Sequence, residues 1–293
     1  MRSILVIIFI CFSNFLFAQE DLLSLIDSSS PIQKTYVKNA FKSSRVINGH
    51  SIEFIGKGVM DVRILHRFGS VKNGIKDLFG FDYANMRMGF DFGLGKDLTI
   101  GIGRSNVGKE LDGFVKYRVI QQSTGAKNSS PISVVVVSGI TAGTAPLDNP
   151  VLNKSVSNKL GYYHEIIIGR KFNNQFSMQV APTLVHRNLV PLNADKNDIV
   201  ALGVGARMKL TRRTAFVVDY HYLFGDLNRT FNKNPLSLGF DIETGGHVFQ
   251  LHFSNSTGMN EKAFITNTTK SWGSGEIRFG FNLSRVFTVS RKK

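Results

Sequence analysis

Met86-Arg87-Met88-Gly89-Phe90-Asp91-Phe92-Gly93-Leu94 alternates without a break. Met86, Met88, Phe90, Phe92 and Leu94 form one set, and Arg87, Gly89, Asp91 and Gly93 the other. Successive side chains of an extended strand point to opposite faces, so this strand has one greasy face and one that is small or charged. The same period recurs at Leu98, Ile100 and Ile102 against Thr99, Gly101 and Gly103, and at Phe216, Val218, Tyr220 and Tyr222 against Val217, Asp219 and His221. Continuous helical periodicity is absent. Twelve such segments are read, near 59–68, 81–94, 97–104, 111–121, 132–142, 161–171, 174–187, 197–209, 212–224, 236–244, 246–255 and 275–289. Most reach about ten residues, which suits a tilted strand crossing a bilayer and exceeds the usual globular strand.

The links alternate as well. Gly95-Lys96, Asn173-Asn174, the stretch around Thr211-Arg212, and Gly245-Gly246 are tight-hairpin sequences. The links 143–160, 188–196, 225–235 and 256–274 are long. Short turns on one side and long loops on the other are what outer-membrane barrels show, and an even strand count leaves both termini on the short-turn, periplasmic side. Gln122 to Pro131 is too long for that scheme, and Ser105 to Glu110 too short. The expected fold is all-β: a single antiparallel transmembrane β-barrel of about 12 strands over residues 59–289. A soluble sandwich or lipocalin-like barrel would turn the same apolar face inward; strand length, strand number and charge placement favour the membrane.

Bulk properties agree. The 293 residues are 42% hydrophobic, yet mean hydropathy is −0.02, as when alternating strands average out. No apolar run beyond the N-terminus reaches the length of a transmembrane helix. Residues 1–18 read as a signal peptide: Arg2, an apolar core from Ile4 to Phe12, and cleavage after Ala18. The only cysteine, Cys11, lies inside that segment, and Ile10 before it is too large for a lipoprotein signal. A mature chain without cysteine excludes disulfides, thiol catalysis and cysteine metal sites. Residues 19–58 are rich in Ser, Lys and Asn and read as a periplasmic lead-in or plug-like segment, with Asn48-Gly49 marking a small hairpin; residues 290–293 are a basic tail. The net charge is +15. Nucleic acid is not an expected partner of an exported chain. Phosphorylated headgroups of outer-membrane lipids and small, anionic solutes are, unless the charge only solubilises loops.

With apolar residues toward lipid, the opposite face lines the interior. The candidates are Arg63, Arg67, Arg87, Asp91, Lys116, Arg118, Glu165, Arg207, Asp219, His221, Asp241, Glu243, Gln250, His252, Glu276 and Arg278, with Asp61 and Gln179 in the same register. Both signs are present. They fit a structural ion-pair network or a charged constriction that selects solutes. Gly89, Gly93, Gly101, Gly103, Gly169, Gly203, Gly205 and Gly280 on this face leave room for water, a plug or close loop packing.

Chemical motifs are sparse. Gly103-Arg104-Ser105-Asn106-Val107-Gly108-Lys109-Glu110 nearly matches a phosphate-binding loop, but Glu110 stands where Ser or Thr must bind magnesium and no helix follows. Ser105-Asn106 resembles part of the outer-membrane phospholipase site, yet lacks a histidine close before the serine. A triad assembled from distant strands stays open. The histidines show no paired ligand spacing; His66, His186 and His247 fall on the lipid side near strand ends. No cofactor, metal or catalytic set is assigned, and no enzymatic activity is expected.

Several strings together resemble a Bacteroidota outer-membrane β-barrel family of unknown function: His66-Arg67-Phe68-Gly69, Leu78-Phe79-Gly80, Arg170-Lys171-Phe172, His186-Arg187-Asn188-Leu189-Val190, Glu243-Thr244-Gly245-Gly246-His247-Val248-Phe249-Gln250-Leu251, and the closing Gly280-Phe281-Asn282-Leu283-Ser284-Arg285-Val286-Phe287. The resemblance covers roughly residues 55–288 and implies an envelope barrel without an established activity. At the Gly245-Gly246 turn, Glu243 and Gln250 face inward near the periplasmic mouth, where they are expected to latch the N-terminal segment. Three functions remain open: a passive channel or transport component for small, anionic solutes; a closed structural or envelope-interaction barrel; and a lipid-modifying barrel enzyme.

Overall fold

The computed structural model describes residues 33–147, 152, 155–190, 195–225, 227–228, 232–245 and 247–290; the export signal read at 1–18 and the last three residues of the basic tail lie outside them. Twelve long strands carry the alternation: β1 (Val59–Ser70), β2 (Ala84–Gly93), β3 (Leu98–Ser105), β4 (Glu110–Ile120), β5 (Ser133–Gly143), β6 (Leu160–Lys171), β7 (Phe176–Arg187), β8 (Asp198–Lys209), β9 (Thr214–Leu223), β10 (Leu236–Thr244), β11 (His247–Ser254) and β12 (Arg278–Thr288). Each pairs antiparallel with its sequence neighbour, and β12 pairs with β1, Leu283 opposite Ile64, so the barrel closes. Closure is what hydrocarbon demands, because no water is there to satisfy an open edge.

Burial follows the period of two. Along β1, Asp61, Arg63, Leu65 and Arg67 are buried, while Val62, Ile64, His66 and Phe68 are half-buried on the outside. Elsewhere on the outer wall Met88, Ile102, Val115, Ile166, Val200 and Phe253 are exposed. Charge inside and grease outside is the reverse of a soluble barrel. The inner wall is not uniformly polar, however. Val135, Val137, Ile167, Val185, Ile199 and Val217, on β5 to β9, form an apolar cluster with Phe41, Val46, Ile47 and Ile52 of the N-terminal segment.

One end of the barrel carries the chain termini and the tight turns, and the other carries the long links. The overlong Gln122–Pro131 link has a cause: Ser123-Thr124 pairs antiparallel with Thr35-Tyr36, and Val37 N donates to the Gln122 carbonyl (2.9 Å). This link grips the incoming N-terminal segment. Between β11 and β12 the chain forms a short helix, α1 (Glu261–Thr266), capped by Asn260, whose side chain accepts from Ala263 N at 2.8 Å. The sequence reading has only a long loop there, because one and a half turns are too few to show periodicity. It also starts the last strand at 275, whereas β12 begins at Arg278 and Glu276 precedes it.

Candidate functional site: an occupied lumen

The barrel is filled from both ends. From the terminal end, residues 40–55 fold into it as a narrow hairpin. Val46 N donates to the Gly49 carbonyl (2.9 Å), Ser51 N to the Ser44 carbonyl (3.0 Å), and Arg45 pairs with His50. The expected turn at Asn48-Gly49 is thus present, deep inside the barrel. Inward-facing glycines make room. A Cβ on Gly93 would lie 2.1 Å from the Gly56 carbonyl oxygen, one on Gly169 would lie 2.8 Å from Ile52, and one on Gly205 would lie 2.9 Å from Val46.

The wall clasps this hairpin through polar side chains. Asp219 of β9 accepts from the backbone N–H groups of Ile47 (3.3 Å), Asn48 (2.6 Å) and Gly49 (3.0 Å) with one oxygen, while the other lies 2.9 Å from His221 Nε2. Gln179 donates to the His50 carbonyl (2.6 Å) and accepts from Ile52 N (3.1 Å). Lys116 donates to the carbonyls of Ser44 (3.1 Å) and Glu53 (2.7 Å). Arg67 donates to Asn48 Oδ1 (2.8 Å) and Asn282 Oδ1 (2.9 Å). Arg63 donates to the hydroxyls of Ser43 and Ser44 and lies 3.7 Å from both Asp61 and Asp91. At the Gly245 hairpin, Gln250 donates to the Val46 carbonyl and to Asp241 (2.8 Å), and Glu243 pairs with Lys42 (2.8 Å) and with Arg207 (3.4 Å).

From the loop end, α1 descends to meet the hairpin. Glu261 and Arg45, each about 1% exposed, pair at 2.6 Å. Phe264 stacks on His221 with ring centroids 4.7 Å apart, and Lys262 bonds Glu110 at the rim (3.0 Å). Two charges this deep lose most of their hydration, and only a close, well-bonded contact offsets the loss.

The other candidates have plainer places. Arg87 is buried against Asp112, and His252 is buried where Gly239 and Gly280 carry no Cβ to exclude it. Arg207 lies 3.5 Å from Asp241. Glu165 is buried, with Oε2 unbonded among the described residues. Arg118 sits half-buried at the terminal mouth, 3.2 Å from Asp97 and stacked over the Phe54 ring. Arg278 and Glu276 are half-buried at the loop end, where Arg278 donates to the Asn255 carbonyl (3.3 Å) and Glu276 pairs with Lys270 (3.2 Å). Sequence reasoning missed Arg45, His50, Asp112 and Glu261. Arg45 and His50 sit on an irregular segment, and Glu261 on a helix of one and a half turns, where no period marks an inward face. Asp112 shares the strand register of Lys116, so the period does point to it.

Among the described residues no Ser–His–acid set assembles. Asp219 and His221 pair within the lumen, but His221 Nδ1 has no hydrogen-bond partner among the described residues. Ser138 and His164 pair on the outer wall (2.9 Å). The two halves face opposite sides of the sheet. Among the described residues no group of three His, Cys, Asp or Glu side chains is placed to hold a metal.

His50 adds a pH dependence to the docking. Burial, then the charges of Arg45, Lys116, Arg63 and Arg87, push its pKa well below the ordinary value, although Glu261 lies 3.5 Å away. That carboxylate is engaged by Arg45, so His50 stays neutral. A withdrawn His50 takes a proton as pH falls through about 6.5, and the docked one does not. Docking is therefore at full strength above that pH and weakens below it, by at most about tenfold per unit. Glu53, whose pKa burial raises, acts in the opposite sense. Amide exchange of residues 44–52 measured from pH 8 to 5, corrected for intrinsic rates, should show the acid weakening in the native chain, and H50Q should abolish it.

A closed sheet with an apolar outer wall and a polar, occupied interior defines a membrane-spanning β-barrel. The chain belongs to the family described as membrane bound beta barrel domain (DUF5777), whose model matches residues 41–287 and so includes the lumenal hairpin. No curated protein matches the sequence. Solved structures similar to it include the NanC porin (10% identity, 77% of this chain and 98% of that chain, TM-score 0.48) and the KdgM porin (8%, 78% and 99%, 0.48). The COG4313 outer membrane channel from Pseudomonas putida F1 is similar at 11% identity, over 80% of this chain and 97% of that chain, with a TM-score of 0.47. Likeness at this level is one of fold, and function has to be read from the lumen itself.

Proposed function

We propose that the protein is an outer-membrane channel for small solutes, shut in this conformation by its own N-terminal hairpin. The observation that carries this reading is the chemistry of the wall beneath the hairpin. A barrel meant only to be solid is most simply filled with apolar side chains, since buried charges seldom stabilise. Here Arg63, Arg67, Asp91, Lys116, Asp219 and Gln250 spend their hydrogen bonds on the hairpin or on each other. Water can replace every one of those contacts, so this polar part of the wall stays solvated when the hairpin leaves. A preference for anions draws support from the basic surplus of the chain, +15 overall, which acts at the mouths, because the lumen itself mixes acids with bases. An origin in the Bacteroidota and export by the leader at 1–18 belong to the same reading.

Planar-bilayer conductance tests it. The mature chain should conduct rarely. Deletion of residues 33–55 should give reproducible open steps, with reversal potentials on the anion side. A cysteine pair at Asn48 and Ser237, whose side chains lie 2.9 Å apart, supplies a version that needs no deletion: oxidised protein should stay silent, and reduced protein, which has lost the Asn48 bond to Arg67, should conduct at least as often as the native chain. Silence of the deletion variant, with insertion verified, would establish a closed structural barrel instead.

A further inference from the structure

On the outer wall, a groove of about 480 Å³ crosses β4 to β8, lined by Val115, Tyr117, Ile166, Pro182, Leu184 and Val200. Its floor departs from the rest of the hydrocarbon-facing surface in three ways. Ser138 and His164, directly opposite each other on β5 and β6, face outward and bond Oγ to Nδ1 at 2.9 Å. That bond uses Nδ1 and leaves the second ring nitrogen, Nε2, outside the pair. Pro182 on β7 has no N–H to give, and the β6–β7 ladder runs from Glu165–Thr183 to Ile168–Val180, skipping Ile166 and Ile167.

Polar atoms facing hydrocarbon without a partner are costly. A bare Ser–His pair on a barrel wall is thus an incomplete arrangement, and a gap in the neighbouring ladder adds further unpaired backbone. We infer that the groove binds one acyl chain of a membrane lipid, with a neutral oxygen of that lipid, an ester carbonyl or a hydroxyl, bonded to the Ser138–His164 pair. The occupant must come from the bilayer, because the groove opens onto it. It must be long and apolar, because all else that lines the groove on its outer side is. Its polar atom must be neutral, because among the described residues no lysine or arginine lines the groove to hold a carboxylate. The inference is independent of the channel reading.

The test uses the full mature chain in phosphatidylethanolamine bilayers, with trace phosphatidylethanolamine carrying a diazirine on one acyl chain, or with a free fatty acid carrying the same group. After illumination the labelled residues are mapped. The expected result is phospholipid label concentrated on β5 to β7 around Ser138, His164 and Pro182. In S138A/H164L that label should fall roughly tenfold, the loss of one or two hydrogen bonds in an apolar setting, while label elsewhere on the wall is unchanged. This variant exchanges a lipid-facing polar pair for apolar side chains, so the barrel should still fold, which heat-modifiable migration on a gel checks. A second variant, P182A, should reduce the label by restoring the ladder. Label spread evenly round the barrel, or unmoved by S138A/H164L, would overturn the site. Label from the free acid alone would overturn the neutral oxygen, and cross-links to a second copy of the chain would replace the lipid with a protein interface.

Discussion

Replacing Glu261 by alanine should loosen the N-terminal hairpin by about 3–5 kcal/mol, the usual effect of stranding one member of a buried ion pair. Arg45 would keep its bond to the Asn48 carbonyl (2.7 Å) but lose the only carboxylate in contact with it among the described residues. Either the guanidinium stays buried and uncompensated, or the hairpin backs out until water reaches it. At about 1.4 kcal/mol per factor of ten, exchange of the Val46 and Ser51 amides should accelerate roughly 100- to 3,000-fold, and open-channel events should become frequent. The double variant R45M/E261M removes both charges at similar volume and should return close to native behaviour, since apolar replacement of a buried pair is often neutral or better. E261A with native exchange rates would show that the meeting of hairpin and α1 holds nothing in place.

Asp219→Ala should be comparably severe, for a different reason. One carboxylate oxygen gathers the N–H groups of Ile47, Asn48 and Gly49, the tip of the hairpin. Alanine leaves them buried with no acceptor, at about 1–3 kcal/mol for each group left unsatisfied. Relaxation recovers part of this, and a net loss of about 3 kcal/mol or more is expected. Asp219→Asn keeps an acceptor at the same place and should cost clearly less, because only the charge assistance is lost. Amide exchange at residues 47–49 separates the two. Equal exchange in both variants would mean that charge, not acceptance, is what matters at this position. His221 reports independently: with Asp219 gone it loses its partner at 2.9 Å, and its ring signals should shift in both variants.

Some of this molecule is written in its pattern, and some is not. The twelve strands, their antiparallel order and the tight turns at Gly95 and Asn173 are legible because a strand repeats every two residues and a hairpin has its own residue types. β2 shows this most plainly, since Arg87, Gly89, Asp91 and Gly93, two residues apart in turn, share a face only in an extended chain. The Val134-Val135-Val136-Val137 run of β5 shows where the pattern stops. Nothing in it tells that Val135 and Val137 turn inward against the hairpin. The pairing of the overlong Gln122–Pro131 link with Thr35-Tyr36 and the short helix behind Asn260 were equally invisible, and a plug was only one of two roles open to residues 19–58.

The sequence alone therefore determined a barrel with a charged inner face, because alternation is local and each strand declares its two faces by itself. Only the tertiary structure decided that the inside is full, that Arg45 meets Glu261 and that Asp219 holds the hairpin tip. Those contacts join residues 216 and about 170 positions apart, and no local signal can specify which of many inward charges the irregular N-terminal segment will find.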